Sequence, residues 1–295
     1  MNLPRFGPID HVRVINFAGV DSGSQEDGGV PRPPAGYHRL VLRTLYRPAE
    51  RRREARAPKH GLAGRLALGA GAAALVAIPF TLIMLLVLSE WEPLARLDRG
   101  VADDLNNVAR GDAGLVDTLK MASTALSPWV FRLAVVGVAV WLWHRGARRL
   151  AAWAVVTMAI GGVLGVVLKL LVDRARPTFP EPVATASGYS FPSGHALNSF
   201  LGVGVLLLVF LPVLSRAGRA VAFTVGAVVV LLTGYDRVAL GVHYVSDVVA
   251  GWVVALACLA GTGAAFEIWR REQGRRPSTV SEGVEPEAAD EMSDR

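Results

Sequence analysis

LAAWAVVTMAIGGVLGVVLKLLV, Leu150 to Val172, carries one charge in 23 residues. As an α-helix it would run about 35 Å, enough to cross the roughly 30 Å hydrocarbon core of a bilayer. A surface helix of a soluble domain would show a polar face, and this stretch has none. It reads as a membrane span. Its single charge, Lys169, is costly at membrane depth and points to a polar cavity or to the interface. Seven residues on stands Arg176, and Pro177 ends any helical continuation.

The rest of the chain fits that reading. Of 295 residues 52% are hydrophobic, and the mean hydropathy is +0.38. That balance excludes an ordinary soluble domain. The net charge of +6 is concentrated toward both ends, which is a topology signal rather than a nucleic-acid footprint. No nucleic-acid partner is expected. Cys258 is the single cysteine, so neither an intrachain disulfide nor a cysteine metal site can form. The first apolar run comes later than a secretory signal would, so insertion is expected to use the spans themselves.

Residues 1–61, rich in Arg, Pro and Gly, read as a disordered basic arm. Residues 62–269 read as one six-span domain, and 270–295 as a polar disordered tail. The expected spans are Leu66–Leu88, Val130–Trp143, Leu150–Val172, Ala196–Leu214, Ala220–Leu232 and Val245–Phe266. Between the first two, residues 92–128 place Leu94, Leu97, Val101, Leu105 and Val108 at helical spacing, which predicts one or two helices lying on the surface. The fold class is therefore all-α: a bundle of six transmembrane helices plus a surface helical segment.

Three clusters interrupt this apolar pattern. The first is Lys169 with Arg176-Pro177. The second is Phe191-Pro192-Ser193-Gly194-His195, a loop running into a helix start, where free N–H groups favour an anion. The third is Arg237, His243 and Asp247, with the last two four apart on one helix face. Singly, each has an ordinary reading: a snorkelling lysine, a helix cap, an interfacial anchor. Alternating spans, however, bring all three to one membrane face. Three cations and helix-start N–H groups then form a pocket for a multiply charged anion such as phosphate. Two histidines can supply a nucleophile or base and an acid. Phosphoryl transfer needs positioning and fixed positive charge. No carboxylate cluster suits Mg²⁺, so neither metal nor other cofactor is expected.

The three clusters, in this order, resemble the pattern of the type 2 phosphatidic acid phosphatase superfamily, which also includes vanadium haloperoxidases. The pattern is K-x6-R-P, then P-S-G-H, then S-R-x5-H-x3-D. The resemblance covers about residues 66–268, with one departure: Asp236 stands where the pattern has Ser. It implies that His243 attacks phosphorus to form a phosphohistidine and that Asp247 orients it. It implies that His195 protonates the leaving oxygen and later helps activate water. Lys169, Arg176, Arg237, Ser193 and the Gly194 N–H would hold the phosphoryl oxygens. A carboxylate at Asp236 could pair with Arg237 or point away.

The expectation is an integral-membrane, metal-independent lipid phosphatase acting on phosphatidate, phosphatidylglycerol phosphate or polyprenyl diphosphate, with the bilayer as its surroundings. A phosphotransferase of the same family, or a non-catalytic lipid-phosphate binding or transport protein, are the rivals. Arginines cluster before the first span, at Arg145, Arg148 and Arg149, at Arg216 and Arg219, and after the last span. The positive-inside rule then puts both tails in the cytoplasm and the site on the other face of the cell membrane.

Overall fold

A computed structural model describes residues 77–293. The basic arm expected at 1–61 and the beginning of the first expected span lie outside the described residues. Among those described, all regular structure is helical. The helices are α1 (Ala77–Leu88), α2 (Glu92–Arg110), α3 (Ala113–Ala125), α4 (Pro128–Arg145), α5 (Arg148–Val172), α6 (Gly194–Phe210), α7 (Arg216–Ala239), α8 (Val245–Glu272) and α9 (Ala288–Ser293).

Local chemistry sets the boundaries. Asp112 caps α3 by accepting from the N–H groups of Gly114 and Leu115 at 2.8 and 3.1 Å. Ser127 precedes Pro128 at the start of α4, and Gly146, at φ 96°, ends it. Ser215 caps α7 through the Gly218 N–H at 3.1 Å. α5 stops at Asp173, which takes a left-handed conformation at φ 50°, short of Pro177.

Among the described residues, four stretches are long and apolar enough to cross a membrane: Ala113–Arg145, Arg148–Val172, Arg216–Ala239 and Val245–Glu272. α1 and α2 qualify only as a pair bent by 86°, and α6 is shorter. α5 and α7 turn Val156, Val163, Val166, Leu170, Val221, Val225 and Leu231 outward. Helices with apolar outer faces are those of a membrane protein.

The core lies among α4, α5, α6 and α8, with Leu142, Leu150, Leu197, Leu201, Val205 and Ala255 almost wholly buried. Gly251 brings α8 against α6. A Cβ there would meet the Ser193 carbonyl oxygen at 2.8 Å and the Leu197 nitrogen at 3.1 Å, so only glycine permits the approach. α2 lies across the ends of the bundle. Its Ala102 packs with Ala196, Val238 and Val248, and its Ala109 with Ala239, Leu240 and Val242.

Several boundaries differ from expectation. The surface segment expected at 92–128 is two helices, and the second continues into α4 as one apolar stretch, Ala113–Arg145. α7 runs past Leu232 to Ala239, because Thr233, Gly234, Asp236 and Arg237 are buried against protein rather than exposed to lipid. α6 ends at Phe210, just before Pro212, instead of reaching Leu214.

The tail expected to be disordered from residue 270 is ordered through residue 293. Arg270 is buried and bonds Glu267 and Glu287 at 2.7 Å each, while Val284, Ala288 and Met292 enter the core. Composition suggested a solvated tail. A spaced set of apolar residues and a buried ion pair fold it back instead.

Candidate active site

All three clusters meet at the ends of α5, α6, α7 and α8. The loop 173–193 joins them. Ser190 holds it closed, its N–H bonding the Arg174 carbonyl at 2.9 Å and its hydroxyl the Ala175 carbonyl at 2.9 Å. Lys169 donates to the Tyr189 carbonyl at 2.7 Å. Arg176 donates to the carbonyls of Gly188, Ser187, Tyr189 and Val242 at 2.7 to 3.2 Å. Lys169 and Arg176 thus share the Tyr189 carbonyl.

His243 sits in the turn between α7 and α8, presented by Gly241 at φ 68°. The His243 N–H bonds the Arg237 carbonyl at 3.2 Å, which pins the turn to the end of α7. The imidazole is buried, with Nε2 3.2 Å from Nη1 of Arg176 and Nδ1 3.5 Å from Oδ2 of Asp247. Its two nitrogens therefore face different partners: a carboxylate on one side, the cationic pocket on the other. Burial, the largest influence, pulls His243 down to about 4. Asp247 opposes that shift, and Arg176 and Lys169 reinforce it. With burial holding the ring neutral and its proton on the side facing Asp247, the Nε2 lone pair accepts from Arg176 Nη1, a bond that yields when Nε2 attacks.

Asp247 stands in the first turn of α8. Oδ2 accepts the Tyr244 N–H at 2.9 Å, and its main-chain carbonyl accepts the Ser193 N–H at 2.9 Å. That second bond ties α8 directly to the P-S-G-H loop. Ser193 caps α6, its hydroxyl accepting from the Ala196 N–H at a long 3.5 Å. A Cβ at Gly194 would meet nothing within 4 Å, so its backbone borders open space. His195 follows on α6. Its Nε2 is 3.5 Å from Nη1 of Arg237, and its ring lies near the backbone of Ser123 in α3. Each histidine thus stands beside one arginine.

Asp236, the departure from the pattern, does not point away. It pairs with Arg237, taking Nε at 3.0 Å and Nη2 on the same oxygen. Both residues are buried, and the other Asp236 oxygen, Oδ1, meets no donor among the described residues.

Two functional candidates escaped the motif reading. Arg174 turns away from Lys169 and Arg176 and donates to Asp247 Oδ1 at 2.6 Å, to Ser246 Oγ at 2.7 Å and to Asp98 Oδ2 at 2.8 Å. Burial alone would lower its pKa, but Asp247 and Asp98 outweigh burial and raise it above the ordinary value. Asp98, on α2, is wholly buried. Its sequence signal is its place on the Leu94, Val101, Leu105 stripe, where a carboxylate has no business unless it is paired.

The PAP2 superfamily pattern matches residues 150–271. The chain is 38% identical over 97 residues to phosphatidylglycerophosphatase B of Bacillus subtilis, covering 32% of this chain and 47% of that protein. It is 33% identical over 112 residues to an undecaprenyl-diphosphatase of Sulfolobus acidocaldarius, covering 36% and 50%. It is 35% identical over 119 residues to a decaprenylphosphoryl-5-phosphoribose phosphatase of Mycobacterium tuberculosis, covering 39% and 60%. The matched segments thus span about half the length of these curated relatives. In fold, the chain is similar to the crystal structure of a transmembrane PAP2-type phosphatidylglycerolphosphate phosphatase from Bacillus subtilis, with a TM-score of 0.57 and 21% identity over 68% of this chain and 97% of that one. The helix ends that gather Lys169, Arg176, Ser193, His195, Arg237, His243 and Asp247 all fall inside residues 150–271, the segment that is similar to the PAP2 superfamily.

Proposed function

We propose that the chain is an integral-membrane, metal-independent phosphatase of lipid phosphates, working through a phosphohistidine. The observation that carries this is the line Asp247, His243, Arg176. Nδ1 of a buried imidazole faces a carboxylate while Nε2 faces a cation that can hold a phosphoryl oxygen. In the first step the Nε2 lone pair attacks phosphorus and the bond to the lipid oxygen breaks. His195, beside Arg237, gives its proton to that leaving oxygen. In the second step water attacks phosphorus, the N–P bond breaks, and His195 takes the water proton. Lys169, Arg176, Arg237, the Ser193 hydroxyl and the Gly194 N–H hold the charge that develops on the oxygens.

The substrate class follows from the place of the site. A headgroup can reach helix ends while its tail stays in lipid. The named activities of the relatives, on phosphatidylglycerophosphate, undecaprenyl diphosphate and a decaprenylphosphoryl sugar phosphate, lie within that class. A pure binding or transport protein would need the cations but not a buried His–Asp pair with a second histidine. We read six crossings, to which α1, α4, α5, α6, α7 and α8 belong, and a site facing away from the cytoplasm.

Purified protein should release phosphate from phosphatidate, phosphatidylglycerol phosphate or a polyprenyl mono- or diphosphate, and labelled substrate should mark the protein. His243→Ala should lose both signals while keeping its thermal unfolding profile. Near-normal turnover in that variant would falsify the assignment. For orientation, Cys258→Ala carrying Ala186→Cys or His144→Cys places single thiols at exposed positions near either face. An impermeant thiol reagent on intact cells should label the first and spare the second. The reverse would put the site in the cytoplasm.

A further inference from the structure

We infer that Asp98 and Arg174 are positioning residues for the His243 reaction: α2 reaches across the bundle and fixes the Asp247 carboxylate through an Asp98–Arg174 strut. This rests on the phosphatase reading above. Asp98 lies outside the matched segment 150–271, and Arg174 is not a fixed position of the K-x6-R-P pattern.

The geometry is closed on every side. Asp98 Oδ1 accepts the Ser246 N–H at 3.0 Å, and Oδ2 accepts the Ser246 hydroxyl. α8 begins at Val245, and its N-cap Tyr244 makes no side-chain cap, so Asp98 serves the helix start from another helix. Asp98 Oδ2 also accepts Arg174 Nη2 at 2.8 Å, and Arg174 Nη1 goes on to Asp247 Oδ1 at 2.6 Å. The guanidinium lies over the Tyr244 ring at 4.3 Å, which leaves it little freedom to rotate. Asp247 then has Oδ1 on Arg174 and Oδ2 on the Tyr244 N–H, and Oδ2 is the oxygen facing His243 Nδ1. One planar arginine bridging two buried carboxylates sets where Asp247 points.

The strut also shares the charge of Asp247. His243 is faced by Lys169 from α5, Arg176 from the loop, His195 from α6 and Asp247 from α8, and the Asp236–Arg237 pair of α7 stands beside His195. Asp247 favours a protonated ring, and Arg174 offsets that pull from behind. Loss of Arg174 therefore makes the imidazolium easier to form. The acid limb of the kcat/KM profile should move to higher pH.

The experiment compares Asp98→Asn, Arg174→Gln, Arg174→Lys and the double variant Asp98→Asn with Arg174→Gln, which removes both the cation and its anchoring carboxylate. Each is purified in detergent and checked by thermal unfolding. Phosphate release from the best lipid substrate of the wild type is measured as kcat and KM across pH, with vanadate inhibition alongside. Misplacing the orienting carboxylate by a fraction of an ångström to an ångström should lower kcat by up to about 100-fold. KM and vanadate inhibition should stay unchanged. Arg174→Gln should also shift the acid limb upward, and Arg174→Lys should leave it in place. Wild-type kcat in a folded Asp98→Asn or Arg174→Gln overturns the inference, as does a fall in kcat with the limb unmoved in Arg174→Gln. Failure of all four to fold overturns it too, in favour of a purely structural tie. An inactive wild type, indistinguishable from His243→Ala, overturns the phosphatase reading itself.

Discussion

Replacing Asp236 by Ser should make the protein less stable and its phosphate pocket stronger. In the native chain Arg237 spends Nε and Nη2 on one oxygen of Asp236, and only Nη1 turns toward His195. The serine variant frees two N–H groups and removes a negative charge beside the pocket. A hydrogen bond from a charged donor contributes about 1.5–3 kcal/mol net. At about 1.4 kcal/mol per decade, one such bond gained by a bound oxyanion tightens binding about 10-fold, and two about 100-fold. Stability moves the other way. Removing one partner of a buried pair costs about 3–5 kcal/mol. Relief of the unpartnered Asp236 Oδ1 returns about 1–3 kcal/mol, so the net loss is about 2 kcal/mol. The assay is vanadate inhibition of phosphate release, set beside thermal unfolding in the same detergent. A folded Asp236→Ser protein with unchanged or weaker vanadate inhibition would refute the reasoning. It would mean that Arg237 does not reach the phosphoryl oxygens.

The acid limb of kcat/KM should lie near pH 4 rather than 6.5, because burial and the Arg176 and Lys169 cations keep His243 neutral until then; a limb near 6.5 would contradict the burial argument. Phosphate release should survive EDTA, since the pocket presents cations where a metal site would present carboxylates; loss on chelation with recovery on Mg²⁺ addition would count against the site as described. Met292→Ala should lower stability by about 2 kcal/mol, read from thermal unfolding, because Met292 is buried in the core with Val284 and Ala288; an unchanged profile would mean the tail does not dock. Gly241→Ala should cut kcat with little loss of substrate affinity. Its φ of 68° disfavours a side chain, and a Cβ would press on Phe179 at 2.6 Å and Asn106 at 2.8 Å; normal kcat would show that the turn does not set the position of His243.

The spans and the motif residues were legible because each leaves a one-dimensional signal. A long apolar run has few alternatives, and Lys169 is conspicuous in one. His243 and Asp247 four apart share a face by helical geometry alone. Asp98 was harder to see, since its partner Ser246 is 148 residues away and only the fold brings them together. Its misplacement on an apolar stripe said that it must be paired, but not with what. The tail was misread because composition averages over position. Arg270 looks solvated in a charged run, and the Glu267 and Glu287 contacts that bury it are set by how the chain turns back. The end of α7 was placed short at Leu232 because its last turn is polar toward protein, where hydropathy expects lipid.

The structure sorts the cations around the site into two kinds, and the sorting bears on the proposed reaction. Arg174 and Arg237 are each held by carboxylates: Asp98 and Asp247 for the first, Asp236 for the second. Lys169 and Arg176 are held by neutral carbonyls of Ser187, Gly188, Tyr189 and Val242. A carbonyl is a weaker partner for a cation than a phosphoryl oxygen, so these two can exchange partners when a headgroup arrives. Their two charges match a phosphate dianion. The two carboxylate-held arginines have less charge to offer: Arg174 fixes geometry behind Asp247, and Arg237 keeps one nitrogen, Nη1, for a phosphoryl oxygen beside His195. Selection for phosphate over a singly charged group then rests on Lys169 and Arg176. Both lie on the segment Lys169–Arg176 that leaves the membrane, within reach of a headgroup whose tail remains in it.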